Sequence, residues 1–160
     1  MGDLNELIPN VISIISSIIQ KPKMSDKLLS KPPFKFLHDT ISAITVATGF
    51  AEGLYSPSEL DSGAITDRQA KIDYLEKIFN LVGICVGQQI DIRAAKVVAG
   101  LEPECTNSFL LLLGQCATSS SIDFQAAVNR TLSGENPGSG RIPTKGTAAQ
   151  AKSEFKDPSG

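Results

Sequence analysis

Few residues of the chain could carry acid–base, nucleophilic or metal chemistry, and their spacing does not suit it. The only histidine, His38, precedes Asp39. On a helix, neighbouring residues point about 100° apart, so the pair is no ready-made dyad. His38 is expected as a surface or half-buried hydrogen-bonding residue. Cys85, Cys105 and Cys116 contain no Cys-x-x-Cys spacing, which argues against a zinc site. Cys85 and Cys116 fall among apolar helical residues, as packing thiols do. Gly49, Gly53, Gly83 and Gly87 fit no phosphate loop. Asn129-Arg130-Thr131 matches a glycosylation acceptor but lies in an expected helix. No catalytic residue, metal ligand or cofactor is therefore expected, and the chain does not read as an enzyme.

Charge is the more informative pattern. Lys21, Lys23, Lys27, Lys31 and Lys35 follow one another with only Asp26 opposing them. Prolines 22, 32 and 33 shape this segment, so its lysines need not share one helical face. Arg93 and Lys96 form a second group, three apart and thus neighbours on a helix surface. Such clusters attract an acidic partner through summed Coulomb forces. Scattered lysines also serve solubility, and sequence order does not bring the two groups together in space.

The elements that must position these residues are helical. Leu4, Leu7, Ile8, Val11, Ile15, Ile18 and Ile19 recur at 3–4 spacing, which predicts a helix up to Lys21-Pro22-Lys23. Pro9 either kinks it or marks its first turn. Ser25 caps a short turn through Leu28 and Leu29. Pro33 opens a helix with Phe34, Leu37, Ile41 and Ile44 inward, ended by Gly49. Ser56-Pro57-Ser58-Glu59 is a capping box within a loop. Thr66 and Gln69 predict a second box, opening the longest helix, which Gly87 closes. Short helices follow at Asp91–Ala99 and from Pro103, and Ser121 caps a last one through Leu132. No strand, heptad run or internal repeat is evident.

Composition sets the bounds. The 160 residues are 41% hydrophobic and 20% charged, which suits one packed domain. Residues 1–135 carry 11 basic and 15 acidic side chains, and 136–160 carry four and two. The domain is read as 1–134, and 135–160 as a flexible linker or tail rich in Gly, Pro, Ser and Lys. The formal charge of −2 gives no overall basic field for nucleic acid. No apolar run reaches the roughly 18 residues of a spanning helix, so no membrane insertion is expected. Leu7–Ile19 lacks the basic flank of a signal peptide, and Glu6 spoils a myristoylation motif. Three cysteines without a secretion signal point to reduced thiols and a cytosolic compartment.

Three stretches are specific beyond general patterning. They are Lys27-Leu28-Leu29-Ser30-Lys31-Pro32-Pro33-Phe34 with Leu37-His38-Asp39, then Thr48-Gly49-Phe50 with Gly53-Leu54-Tyr55. The third is Lys96-Val97-Val98-Ala99-Gly100 with Glu102-Pro103-Glu104 and Thr106-Asn107. In this order they resemble the N-terminal domain of the TRAF3-interacting protein 1 family of intraflagellar transport complex B subunits, over about residues 5–132. The resemblance implies an all-α, calponin-homology-like bundle of about four main helices plus short connecting ones. It also implies binding to tubulin or microtubules, and partnership with other complex B subunits. It implies a place in the cilium or flagellum, the basal body, the cytoplasm and the cytoskeleton. In the family a linker and a coiled coil follow, and the sequence stops within the linker.

Combined with the charge pattern, this makes Lys23, Lys27, Lys31, Lys35, Arg93 and Lys96 the expected tubulin-binding residues. These residues come from the charge reading; they are not carried over as family contacts. With the domain itself acidic, affinity is expected to be modest and strongly salt-dependent. The competing reading is a scaffold that docks on other transport subunits, with tubulin incidental. Ile84 or Phe36, if exposed in one patch, would favour it.

Overall fold

The computed structural model describes residues 4–21, 23–135, 137 and 143. Among the described residues seven α-helices follow in order: α1 (Leu4–Ser16), α2 (Asp26–Ser30), α3 (Phe34–Thr48), α4 (Arg68–Val86), α5 (Ala94–Val98), α6 (Pro103–Thr118) and α7 (Phe124–Leu132). A 3-10 turn lies at Ser62–Ala64, and no β-strand occurs among the described residues.

α4 is the hub. Ten of its 19 residues are buried, because α5, α6 and α7 all pack on it. α1 lies along α6, where Gly114 allows close approach. A Cβ at Gly114 would stand 3.0 Å from Ile14 Cγ2. Between α4 and α6, Phe79 meets Phe109 edge-on at 4.7 Å. Val11, Ile15, Leu75, Ile78, Leu110 and Leu113 complete an apolar centre that excludes water. Burying each such side chain contributes about 1.5–3 kcal/mol before entropy is charged against it.

Several helix ends match the sequence reading. Ser25 Oγ accepts from Leu28 N at 3.2 Å and caps α2. Pro33 precedes α3, and left-handed Gly49 ends it. Pro103 opens α6. Ser56 N donates to Glu59 Oε1 at 2.9 Å, and Glu59 N to Ser56 Oγ at 3.4 Å, so the capping box closes a turn.

Other ends differ for local reasons. α1 stops at Ser16 although Ile19 is buried. Ser17 Oγ donates to the Ile14 carbonyl at 2.6 Å and competes with the helical ladder. Pro9 lies inside α1 and does not start it. α4 begins after Asp67, not Thr66, because Gln69 Nε2 reaches forward to Asp73 Oδ1 at 2.9 Å. α5 begins at Ala94, three residues later than expected. Asp123, not Ser121, caps α7, accepting from Ala126 N at 3.1 Å.

Beyond residue 134, Pro137 lies over Gly83 of α4, and the Pro143 carbonyl accepts from Asp123 N at 2.8 Å. Glu135 pairs with Arg130, and the rest of the segment read as a tail lies outside the described residues.

The loop between α3 and α4 is strapped down by aromatic rings. Tyr55 stacks on Tyr74 at 4.1 Å, and its hydroxyl donates to the Tyr74 carbonyl at 2.8 Å. Lys77 pairs with Glu59 at 2.7 Å.

Candidate functional site

The cationic segment is anchored from below by α6. Asn107, fully buried, donates from Nδ2 to the Leu29 carbonyl at 2.7 Å and to the Pro103 carbonyl at 2.9 Å. This fixes the end of α2 against the start of α6, and the buried Leu29 side chain holds it there. Lys27 sits on α2 and lines a cleft of about 310 Å³ with Asn5 and Pro9 of α1. Lys31 follows α2 directly.

Lys31 reaches across to the second group. Its stem passes over Gly100, with Cε 3.1 Å and Cγ 3.8 Å from where a Cβ would stand. Gly100 follows α5, the helix that carries Lys96. The Leu101 N–H donates to the Lys96 carbonyl at 2.9 Å and closes the helix end. Arg93 caps the other end of α5, one turn from Lys96. One member of the first group, Lys31, thus reaches the residue that follows the helix carrying the second. The φ of 78° favours glycine there, and a side chain would also press on the lysine stem above it.

The cations differ in what surrounds them. Lys35 pairs with Asp39 at 2.9 Å on the exposed face of α3. Among the described residues, no carboxylate forms an ion pair with Lys23, Lys27, Lys31, Arg93 or Lys96. The junction is not free of acids, however. Burial pushes the Cys105 thiol up, and the carboxylates of Glu102, Glu104 and Asp91 push it further. Lys71 belongs near this charge pattern and was not expected. Its Nζ lies 5.7 Å from the Phe34 ring centre, and it shares a cleft of about 360 Å³ with Lys35. It sits on α4, far along the chain from the lysine run, so only the fold brings it near.

The groups with chemical potential are structural in their surroundings. His38 is 2% exposed, deeper than expected. Its Nε2–H donates to the Glu59 carbonyl at 2.8 Å, and its ring stacks on Tyr74. Asp39 lies 4.0 Å from Nδ1. Cys85 and Cys116 are buried partners across α4 and α6, and their mutual hydrogen bond with burial pushes the Cys85 thiol far up. A thiol so raised is no nucleophile. No cluster of His, Cys, Asp or Glu able to hold a metal occurs among the described residues. No helix among them is long and apolar enough to cross a membrane.

Ile84 and Phe36 are both buried, in α4 and α3, so neither forms the exposed patch considered for a scaffold. Among the described residues the large exposed apolar side chains are instead Val46, Leu60, Leu101 and Leu132.

The profile of the family described as "Microtubule-binding protein MIP-T3 CH-like domain" matches residues 7–119. The chain belongs to this family. All six cations expected at the site fall within the matched MIP-T3 region, and the helical bundle is its CH-like fold. TRAF3-interacting protein 1 of Rattus norvegicus is 40% identical over 129 residues, covering 80% of this chain and 20% of the relative. The protein of the same name in Mus musculus is 40% identical over 121 residues, 76% of this chain and 19% of the relative. That of Danio rerio is 35% identical over 143 residues, 89% and 22% respectively. The MIP-T3 chain described here thus spans about a fifth of the length of the curated relatives it matches.

Proposed function

We propose that this domain binds tubulin or microtubules through the surface where α2 meets the α5–α6 junction. On this reading it is the N-terminal module of an intraflagellar transport complex B subunit, without catalytic activity. It acts in ciliary transport and assembly at the cilium or flagellum and its basal body. One observation carries the assignment of the surface: the Lys31 stem rests on Gly100, the glycine that ends the helix bearing Lys96. Tubulin is acidic, above all in its C-terminal tails, and the lysines and arginine of this surface supply the opposite charge. Lys31 and Lys96 are the centre, with Lys23, Lys27 and Arg93 around them. Lys35 contributes least, since Asp39 already engages it.

The test is a titration of the folded domain with soluble tubulin over a range of salt. Reversing Lys31 and Lys96 to Glu weakens binding by roughly tenfold or more and flattens its salt dependence. Unchanged affinity in a folded double variant removes the site.

The scaffold reading has one observation in its favour. A groove of about 550 Å³ runs between the end of α3 and the following loop, lined by Ala51, Tyr55 and Leu60. Val46 on its edge is 89% exposed. That reading expects a complex with another transport subunit that is insensitive to salt, is abolished by Val46→Asp, and is accompanied by no tubulin binding.

A further inference from the structure

Beside the two central cations the backbone makes a turn that simple helix termination does not require. Gly100 and Glu102 both have positive φ, 78° and 53°, and Glu102 is the only non-glycine residue of this kind among the described residues. Pro103 restricts the residue before it still further. Glu102 caps α6 without any side-chain bond that would offset the strain. Strained backbone of this kind concentrates at recognition sites.

What the turn determines is the position of Leu101. Its N–H is spent on the Lys96 carbonyl. At a helix end closed in this way, the apolar residue at that position ordinarily packs back on the helix. Half of the Leu101 side chain nevertheless stands in solvent, at 50% exposure. It is next in sequence to the glycine under Lys31, and its backbone is bonded to that of Lys96.

We infer that Leu101 is the apolar contact residue of the tubulin-binding surface, held outward by left-handed Gly100 and Glu102. This rests on the tubulin reading above. Charge alone is a poor clamp here. Residues 1–135 carry four more acidic than basic side chains, and Glu102 and Glu104 lie close by. An acidic partner is therefore steered by the cations but held weakly by them. A leucine that enters a depression on the partner adds attraction that salt does not screen. It also excludes water from the flanking ion pairs, which strengthens them.

The experiment measures tubulin affinity against salt for Leu101→Ser, Leu101→Gln, Leu101→Met and Lys31→Glu/Lys96→Glu. Circular dichroism and melting of each domain check folding; two polar replacements keep the test open if one misfolds. Leu101→Ser and Leu101→Gln weaken binding about tenfold while the slope of log affinity against log salt stays that of the parent. Leu101→Met keeps most of the affinity. Parent affinity in either folded polar variant, alongside weakened Lys31→Glu/Lys96→Glu, overturns the role of Leu101 and leaves the tubulin reading standing. No tubulin binding by the parent, or parent affinity in the charge-reversed variant, overturns the tubulin reading itself and the inference with it.

Discussion

Lys31 and Gly100 are 69 positions apart in sequence, yet the Lys31 stem passes close over Gly100 in space. Gly100→Ala places a methyl group 3.1 Å from Lys31 Cε and forces an L residue to a φ of 78°. The backbone strain alone costs about 1–2 kcal/mol. A lower melting temperature with weakened tubulin binding is the expected outcome, because the displaced lysine leaves its neighbour. Glu102→Asn goes the other way. Asparagine tolerates the left-handed region that glutamate resists, so stability rises by about 0.5–1 kcal/mol, read as an upward shift in thermal melting. None of this was visible in the sequence. The two cationic groups were legible as groups, since charge runs need no fold to be seen. The approach of Lys31 to Gly100 was not, since Asn107 holds the end of α2 to α6. Lys71 was missed for the same reason. His38 was read as less buried than it is, because its partner is the backbone of a loop 21 residues away.

The elements show how such contacts are secured. The α3–α4 loop is tied to α4 by the Tyr55–Tyr74 stack and the Lys77–Glu59 pair, and to α3 by the His38 bond to Glu59. Burial would raise the Glu59 carboxyl, yet Lys77 and the Ser56 donors hold it below its ordinary value. A lowered folded value means that the pair stabilises at neutral pH and that its contribution fades as pH falls through the carboxylate range. With Glu59 partly solvated, the effect stays below about 1 kcal/mol. Urea midpoints at neutral and acid pH check it, and Glu59→Gln should lose less stability on acidification than the parent. The α1–α6 contact is less forgiving. Gly114→Leu drives a side chain into Ile14 and Ile15, and overpacking there costs about 1–3 kcal/mol in chemical denaturation. Helix ends were readable where a single residue dictates them, as Pro33, Gly49 and Pro103 do. They were misplaced where two polar residues compete. Ser17 shortens α1, Gln69 turns to Asp73, and Asp123 displaces Ser121 as a cap.

At the scale of the whole molecule, the all-helical fold was legible because its apolar residues recur every three or four positions along nearly every element. The order of packing was not, since α4 is buried on several sides and its sequence names no partner. The domain is acidic overall while the surface proposed for tubulin is cationic, so attraction and repulsion act at different ranges. Tubulin affinity should therefore fall steeply between about 50 and 200 mM salt, and titrations in that range measure it. That surface is assembled by uncharged means. A hydrocarbon stem lies on a glycine, and a neutral amide clasps a backbone carbonyl. Electrolyte can mute the pull of the ammonium groups while their layout stays the same. Dissociation by brine is thus the silencing of an intact receptor, and dilution should restore capture at once, with no refolding delay.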